Sequence, residues 1–394
     1  MTIKKVLLRA PLLTNSGYGV HSRQIFSWLN SRKDVDLSVE CLSWGRTSWI
    51  VNEDYESGLI KKIMHCSKPV QPGSYDITFQ VQLPDEWDNT LGRKNIGVSA
   101  IVETDKCRPE WVEHCNKMDM IIVPSTFTKN VIKRSGYLTK KIIVVPEWFD
   151  STVDNKSVVA KQLNDERYKN IKKDFNILMI GTLTSQLKED DRKNLENSIK
   201  WALEEFKNEK DVGLVIKTSL GKGTTADKKM CLEHLKRMLG GITDKRPPVY
   251  FVHGNMKNEE ISALYNHKNI KVYATATRGE GYGLPIIEAA ASGLPIVATN
   301  WSGHLEFLNK DYFYPVDYSL VEINDTKVDG RIFDKGFKWA NPSEQDFKLQ
   351  LRKVYDDYNS AKEKAKLLKK QIHQKFNDKS IKRLYDEIFE EVSK

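Results

Sequence analysis

The feature that most constrains this chain is an alternation, run through twice, of short β-branched or apolar segments with longer amphipathic ones. That is the pattern of β-α-β units, which build parallel sheets. In the first half Lys5–Leu8, Leu37–Cys41, Ile77–Val81, Ile96–Val102, Met120–Val123 and Ile142–Val145 read as strands. The second half restarts with Asn176–Ile180, Gly213–Lys217, Val249–Val252, Ile270–Ala274 and Ile296–Ala298. Between the halves, Asp150–Asp174 is polar and lysine-rich and offers no strand, as a connection would. Two Rossmann-like α/β domains follow, expected over residues 1–165 and 166–345. In the tail, Val354, Tyr358, Ala361, Ala365, Leu368 and Ile372 recur at steps of four and three. Residues 346–394 therefore predict a long amphipathic helix with one buried stripe, packing back across the domains.

The 394 residues suit two to three domains at about 150 residues each. Hydrophobic residues at 40% supply enough apolar material for real cores. No apolar run approaches the roughly 18 residues of a membrane helix, which excludes an integral membrane class. Lys4 and Lys5 precede only Val6–Leu8 before Arg9, too little for a secretory signal, so the expected location is cytoplasmic. The five cysteines contain no C-x-x-C pair and are expected as free buried thiols, with no metal site. A net charge of +9 is compatible with nucleic acid, anionic surfaces or phosphate-bearing substrates and chooses none of them.

The chemistry concentrates in residues 271–300, a strand, a glycine-rich turn, a helix and another strand. Gly279, Gly281 and Gly283 are expected to take positive φ, Pro285 to open the helix and Gly293 to end it. A helix N-terminus behind such a turn offers free amides and the positive end of a dipole to a phosphate or diphosphate. Glu280 lies inside the turn and Glu288, expected on the first helical turn, follows it. A carboxylate accepts paired hydrogen bonds from vicinal hydroxyls, which suits Glu288 to a ribose and Glu280 to a second sugar. The plainer alternative is two helix-start acids stabilised by the dipole.

Glu280, Gly281, Tyr282, Gly283, Leu284, Pro285 and Glu288, followed by Ala289, Ser292, Gly293 and Pro295, resemble the E-x7-E signature of GT4-type glycosyltransferases of GT-B fold. Further matches run along the chain in order: Gly17-Tyr18-Gly19, Val123-Pro124-Ser125 with Lys129, Pro146, Asp150, Gly181 and Lys193-Asn194. The resemblance implies two Rossmann-like domains facing a cleft and a retaining transfer from a nucleotide-diphosphate sugar. A UDP-sugar is favoured, with a GDP-sugar as the alternative, and neither a metal nor another cofactor is obligatory. It further implies that Glu288 holds the ribose, Glu280 touches the transferred sugar, Gly281–Leu284 receive the diphosphate and Lys193 neutralises it as it leaves.

The family often has an arginine where this chain has Thr182, so Arg192 or Lys217 is expected to supply that phosphate contact. In the first domain Asn15–Val20 reads as a glycine-rich loop that touches donor phosphate or acceptor, or serves a tight turn only. Glu103 is the candidate acid near the reacting sugar and Asp105 its reserve. Leu220–Thr225 lacks P-loop spacing and reads as a flexible loop. His253-Gly254-Asn255 either borders a nucleotide base or forms a turn with an incidental histidine.

For the acceptor, a glycan is expected. A hydroxylated base in DNA, as used by some bacteriophage enzymes of this fold, is the alternative, given the basic tail. A nucleotide-sugar or polyanion binder without catalysis is the remaining class, and Glu280, Glu288 and Lys193 argue against it.

Overall fold

Each alternation closes into one parallel six-stranded sheet in the computed structural model, which describes residues 3–101, 103–185, 187–240 and 245–394. The strands of the first are β1 (Lys4–Ala10), β2 (Val35–Cys41), β3 (Tyr75–Val81), β4 (Gly92–Val98), β5 (Met120–Val123) and β6 (Lys141–Val144). Their spatial order is β2-β1-β3-β4-β5-β6. The second sheet contains β7 (Phe175–Ile180), β8 (Val212–Thr218), β9 (Val249–His253), β10 (Ile270–Thr275), β11 (Ile296–Thr299) and β12 (Tyr314–Val316), in the order β12-β11-β10-β7-β8-β9. Helices cover both faces, so inner strands are apolar throughout: Ile121, Ile122 and Val123, like Leu214, Val215 and Ile216, are fully buried.

In each sheet the strand order reverses once, between β1 and β3 in the first and between β7 and β10 in the second. Ligands of open α/β sheets bind outside the carboxyl ends of the strands at such reversals. The glycines singled out in the sequence follow β1, β7 and β10: Gly17 and Gly19 open the helix after β1, and Gly181, Gly279, Gly281 and Gly283 lie in the segments after β7 and β10.

Several expectations need correction. β4 ends at Val98 rather than 102, because Ser99 and Ala100 turn to bond Tyr18: the Ala100 amide donates to the Tyr18 hydroxyl at 3.0 Å. Val102 lies outside the described residues. β12 is absent from the strands the sequence predicts, three residues around Pro315 being too short a run to read as one; an edge strand tolerates the proline. An antiparallel hairpin of β13 (Tyr318–Glu322) and β14 (Lys338–Pro342) was also missed, its partners being separated by a long loop. By contact the first unit ends at Trp148, and the short helices Lys156–Gln162 and Glu166–Lys169 belong with the second; the former packs on the helix Asn258–Tyr265. The five cysteines are free, though Cys41 and Cys66 are only partly buried.

The tail keeps its stripe but not its continuity. Val354, Ala361, Ala365, Leu368 and Ile372 are buried as expected. The chain nevertheless forms three helices, Glu344–Asp356, Tyr358–Lys375 and Asp378–Val392. Asp357 breaks the first junction at φ −131° and ψ 69°, and Asn377 caps the third helix by accepting from the Ser380 amide at 2.9 Å. The hydrophobic phase carries across Asp357, which hides that break in the sequence. Phe376–Lys394 belongs to the first unit and the preceding tail helices to the second. No described helix is long and apolar enough to cross a membrane.

Candidate active site

The turn after β10 runs from Ala276 to Gly283 and feeds the helix Leu284–Ser292. Gly283 sits at φ 105°, Pro285 falls in the first helical turn and Gly293 ends the helix at φ 92°. Gly279 and Gly281 are not among the left-handed positions, contrary to expectation. The bend is instead held from outside: the Gly303 amide donates to the Glu280 carbonyl at 2.8 Å and the Glu280 amide to Ser302 Oγ at 2.9 Å. A Cβ on Gly303 would lie 2.0 Å from the Gly281 oxygen, so only glycine fits there. Nothing in the sequence pairs Ser302-Gly303 with a turn 20 residues upstream, which is why they were missed. The cap residue is a glycine, which brings no side chain of its own to the helix N-terminus, an end whose dipole suits an anion.

Three of the predicted residues meet beside this turn. Lys193 Nζ lies 2.7 Å from both carboxylate oxygens of Glu280, and Arg192 Nη1 lies 3.2 Å from Oε2 and 2.6 Å from the Gly279 carbonyl oxygen. Thr277 adds a hydroxyl donor at 2.9 Å. Burial alone would raise the Glu280 carboxyl, yet Lys193 and Arg192 outweigh it and hold it at about 2. Arg192 and Lys193 are presented by Asp191, another residue the sequence reading passed over. Its Oδ1 accepts from Thr184 Oγ1 at 2.6 Å and from the Lys193 amide at 3.3 Å, and its Oδ2 caps the helix Leu195–Glu205 through the Leu195 amide at 2.8 Å. An acid a few residues before a helix start was the available signal. Gly181 lies against the Lys193 side chain, where an added Cβ would make ordinary contact at 3.6 Å, and Thr182 is exposed beside it.

Glu288 is on the second turn of its helix, not the first, so the dipole contributes little to it. Its Oε2 accepts from the buried Tyr265 hydroxyl at 3.1 Å. Burial and the nearby Asp150 raise its carboxyl to about 8, against smaller opposing effects of Tyr265 and Lys217. Lys217, at the end of β8, is held low by burial and raised by Glu288. These two therefore form a second polar group next to the turn. The Tyr282 ring is buried and meets Phe307 edge-on at 5.1 Å.

A pH dependence follows. The folded pKa of Glu288, about 8, exceeds its ordinary 4.5. The stability this gives is complete below pH 4.5 and is lost as pH rises through 8. Glu288→Gln keeps an acceptor for Tyr265 and removes the titration, so it should melt several degrees above the unaltered protein at pH 9 and close to it at pH 4. Equal gaps at both pH values in a thermal melt would refute the assignment.

The first-unit candidates are distributed differently. Gly17, Tyr18 and Gly19 are not a loop but the first turn of the helix Gly17–Asn30, with Ser16 Oγ accepting from the Gly19 amide at 2.9 Å. Gly19 is required by packing, since a Cβ would lie 2.1 Å from the Thr14 oxygen. The Tyr18 ring stacks on Trp44 at 3.8 Å, and its hydroxyl reaches Ser99 at 3.0 Å at the end of β4. Glu103 is partly buried and lies within electrostatic range of Tyr18. Asp105 offers its carbonyl to Arg134 at 2.6 Å. Ser125 is the N-cap of the helix Thr126–Ser135, accepting from the Thr128 amide at 3.2 Å, and Lys129 lies partly buried on that helix. Ser125 thus has a structural role of its own.

The loop over residues 220–225, expected as flexible, is tied by side-chain hydrogen bonds. Asp227 pins the amides of Leu220, Lys222 and Gly223 and also meets Cys231 and His253. These three side chains are the group among the described residues with metal-ligating chemistry inside 4.8 Å. The Asp227 oxygens, however, already accept five hydrogen bonds, and burial, with Asp227 beside it, pushes the Cys231 thiol up to about 12. Their arrangement is that of a hydrogen-bonded knot.

The segment from Asp191 through Glu280 and Glu288 into the second tail helix can be compared with known families. Residues 191–371 match the model of glycosyl transferases group 1. That group 1 segment contains every second-unit candidate except Thr182. No curated protein sequence matches the chain. Among solved structures, a glycosyltransferase from Rickettsia africae is similar at 14% identity and TM-score 0.65, over 100% of both chains. Sucrose-phosphate synthase from Thermosynechococcus elongatus is similar at 13% identity and TM-score 0.64, over 99% of both chains. The Anabaena protein Alr3699/HepE in complex with UDP-glucose is similar at 14% identity and TM-score 0.64, over 98% of this chain and 100% of that one. These similarities place the fold as GT-B, two Rossmann-like parallel-sheet domains.

Proposed function

We propose that the chain is a retaining, GT4-type glycosyltransferase that moves a sugar from a nucleoside-diphosphate sugar to a hydroxyl of a glycan acceptor. The observation that carries this reading is the glycine-capped N-terminus of the helix Leu284–Ser292, with Arg192 and Lys193 paired to Glu280 in the turn before it and Glu288 on the helix itself. In this reading Gly281–Leu284 and Lys193 take the diphosphate, Glu288 takes the ribose and Glu280 the transferred sugar. Thr182 and Arg192 lie at the phosphate end, and Lys217 beside the ribose. The first unit forms the acceptor side, with Gly17–Gly19, Glu103, Asp105, Ser125 and Lys129 as its candidates.

The bond from the anomeric carbon to the diphosphate oxygen breaks, and the acceptor oxygen bonds that carbon on the same face. The acceptor proton passes to a phosphate oxygen. Negative charge grows on the leaving group as the bond breaks, so fixed amides and Lys193 bind it more tightly in the transition state than in the ground state. No step requires a metal. The group 1 match over the same residues supports this reading, and the UDP-glucose held by the Anabaena protein of the same fold favours a UDP-sugar over a GDP-sugar. For the acceptor, a glycan is preferred to DNA because the tail is not a bare cationic face: Lys366, Lys369 and Lys382 pair with Glu363, Asp154 and Asp378.

The test is a thermal-shift panel of UDP, GDP, ADP and CDP in the presence of EDTA, on the unaltered protein and on Glu288→Ala. UDP should raise the melting temperature by several degrees, and the shift should vanish in the variant. No shift with any nucleotide would overturn the donor-site reading.

A further inference from the structure

Asp227 is buried at the start of the helix Thr225–Gly240 and receives more donors than a helix start needs. Its Oδ1 accepts from the Leu220 amide at 2.8 Å, the Cys231 thiol at 3.3 Å and His253 Nε2 at 3.0 Å. Its Oδ2 accepts from the amides of Lys222 at 2.9 Å and Gly223 at 3.0 Å. An ionised carboxylate only accepts, so the contact fixes the proton of a neutral His253 on Nε2. One side chain thus binds the loop after β8 to the residue that closes β9. The two loops also touch directly. Gly221, Gly223 and Gly254 all have left-handed φ, and a Cβ on Gly223 would lie 3.0 Å from Asn255 Nδ2 and 3.2 Å from its amide nitrogen. The shape of this loop pair is therefore set by Asp227 and by glycines, with little slack.

Its position across the sheet gives the knot a consequence. Passing from β10 to β7, β8 and β9, the groups at or beyond the strand ends are the glycine turn, Gly181 with Lys193, then Lys217 in the field of Glu288, then His253. A diphosphate over β10 and β7 with its ribose at Glu288 is already heading towards β8. The rest of the nucleotide must then lie over the loops that follow β8 and β9. Resting on the donor reading above, we propose that Asp227 is a positioning residue: through His253 and the 220–223 amides it holds the loop pair against which the donor's base is seated, without touching the nucleotide.

A positioning role at the base end separates from a general structural one by the ligand that senses it. UDP and inorganic pyrophosphate are titrated separately by calorimetry into the unaltered protein, Asp227→Asn, His253→Ala and His253→Gln, and each variant is also melted alone. UDP should bind about tenfold or more weakly to Asp227→Asn and His253→Ala, because a displaced contact surface loses affinity steeply. Pyrophosphate, which has no base, should bind all four proteins alike. His253→Gln keeps a side-chain N–H for Asp227 and should recover most of the UDP affinity. If UDP affinity is unchanged in His253→Ala, or if pyrophosphate weakens in step with UDP, the proposal is wrong. If Asp227→Asn does not fold, the two His253 variants decide the matter. Failure of the unaltered protein to bind either ligand would instead sink the donor reading, and this inference with it.

Discussion

Lys193→Ala is expected to slow sugar transfer by about 10²–10³-fold, the usual effect of removing one preorganised group that meets developing charge. The side chain is already fixed where it would act: its ammonium is held against Glu280, its backbone by Asp191, and Gly181 lies alongside. A cation this constrained needs little reorganisation to follow charge from the sugar onto the diphosphate. Because the interaction strengthens as the bond breaks, turnover should fall much more than donor KM rises. The measurement is UDP release from the nucleotide sugar, with Lys193→Arg as the variant that keeps the charge. Unchanged turnover in Lys193→Ala would remove the leaving-group role.

The second-unit site was legible because its parts are short-range. Glu280, the glycines, Pro285 and Glu288 follow one strand and open one helix, and Arg192-Lys193 follow the strand beside it in the sheet. What the residues did not reveal is how these charges distribute. Arg192 reads from the sequence as a phosphate ligand, and the structure adds its bonds to the Gly279 carbonyl and Glu280; Tyr282 reads as a donor contact, and the structure adds the packing of its ring on Phe307. Residues reaching in from distant sequence were invisible for the same reason. Ser302-Gly303 act by hydrogen bonds to the backbone of Glu280, which leave no periodicity or spacing to read. In the first unit, Gly17-Tyr18-Gly19 looked like a loop because glycines commonly are. Ser16 as a cap, and the close approach of Thr14 to Gly19, make it a helix start.

Glu280→Ala should destabilise the protein by about 3–5 kcal/mol, since it removes a buried carboxylate that accepts from two cations. Arg192 and Lys193 are 16% and 19% exposed and both meet this carboxylate, at 3.2 and 2.7 Å. The sign of the pH dependence is opposite to that of Glu288. The Glu280 carboxyl sits at about 2 in the folded chain against an ordinary 4.5. The stability it contributes is therefore complete above pH 4.5 and is lost as pH falls through 2. Urea unfolding of the unaltered protein and the variant should show the widest gap at pH 6–7, closing steadily between pH 4.5 and 2. A gap independent of pH would mean that packing, not charge, holds this residue. The variant should also regain stability on adding diphosphate, which would replace the missing anion.

The last helix changes when the first unit can be finished. Trp28, on the helix Gly17–Asn30, is closed over by Tyr385 at 4.9 Å and Phe389 at 5.9 Å, and its indole donates to Asp386 at 2.8 Å. Arg32 pairs with the same aspartate and lies over the Phe389 ring at 4.1 Å. A ribosome delivers the six strands of that sheet before the second unit and these partners after it. The second unit is made and can collapse in the interval, while an apolar face around Trp28 waits uncovered. The N-terminal half is therefore the late-maturing part of this protein and the more exposed to chaperones and proteases during synthesis, although it is translated first.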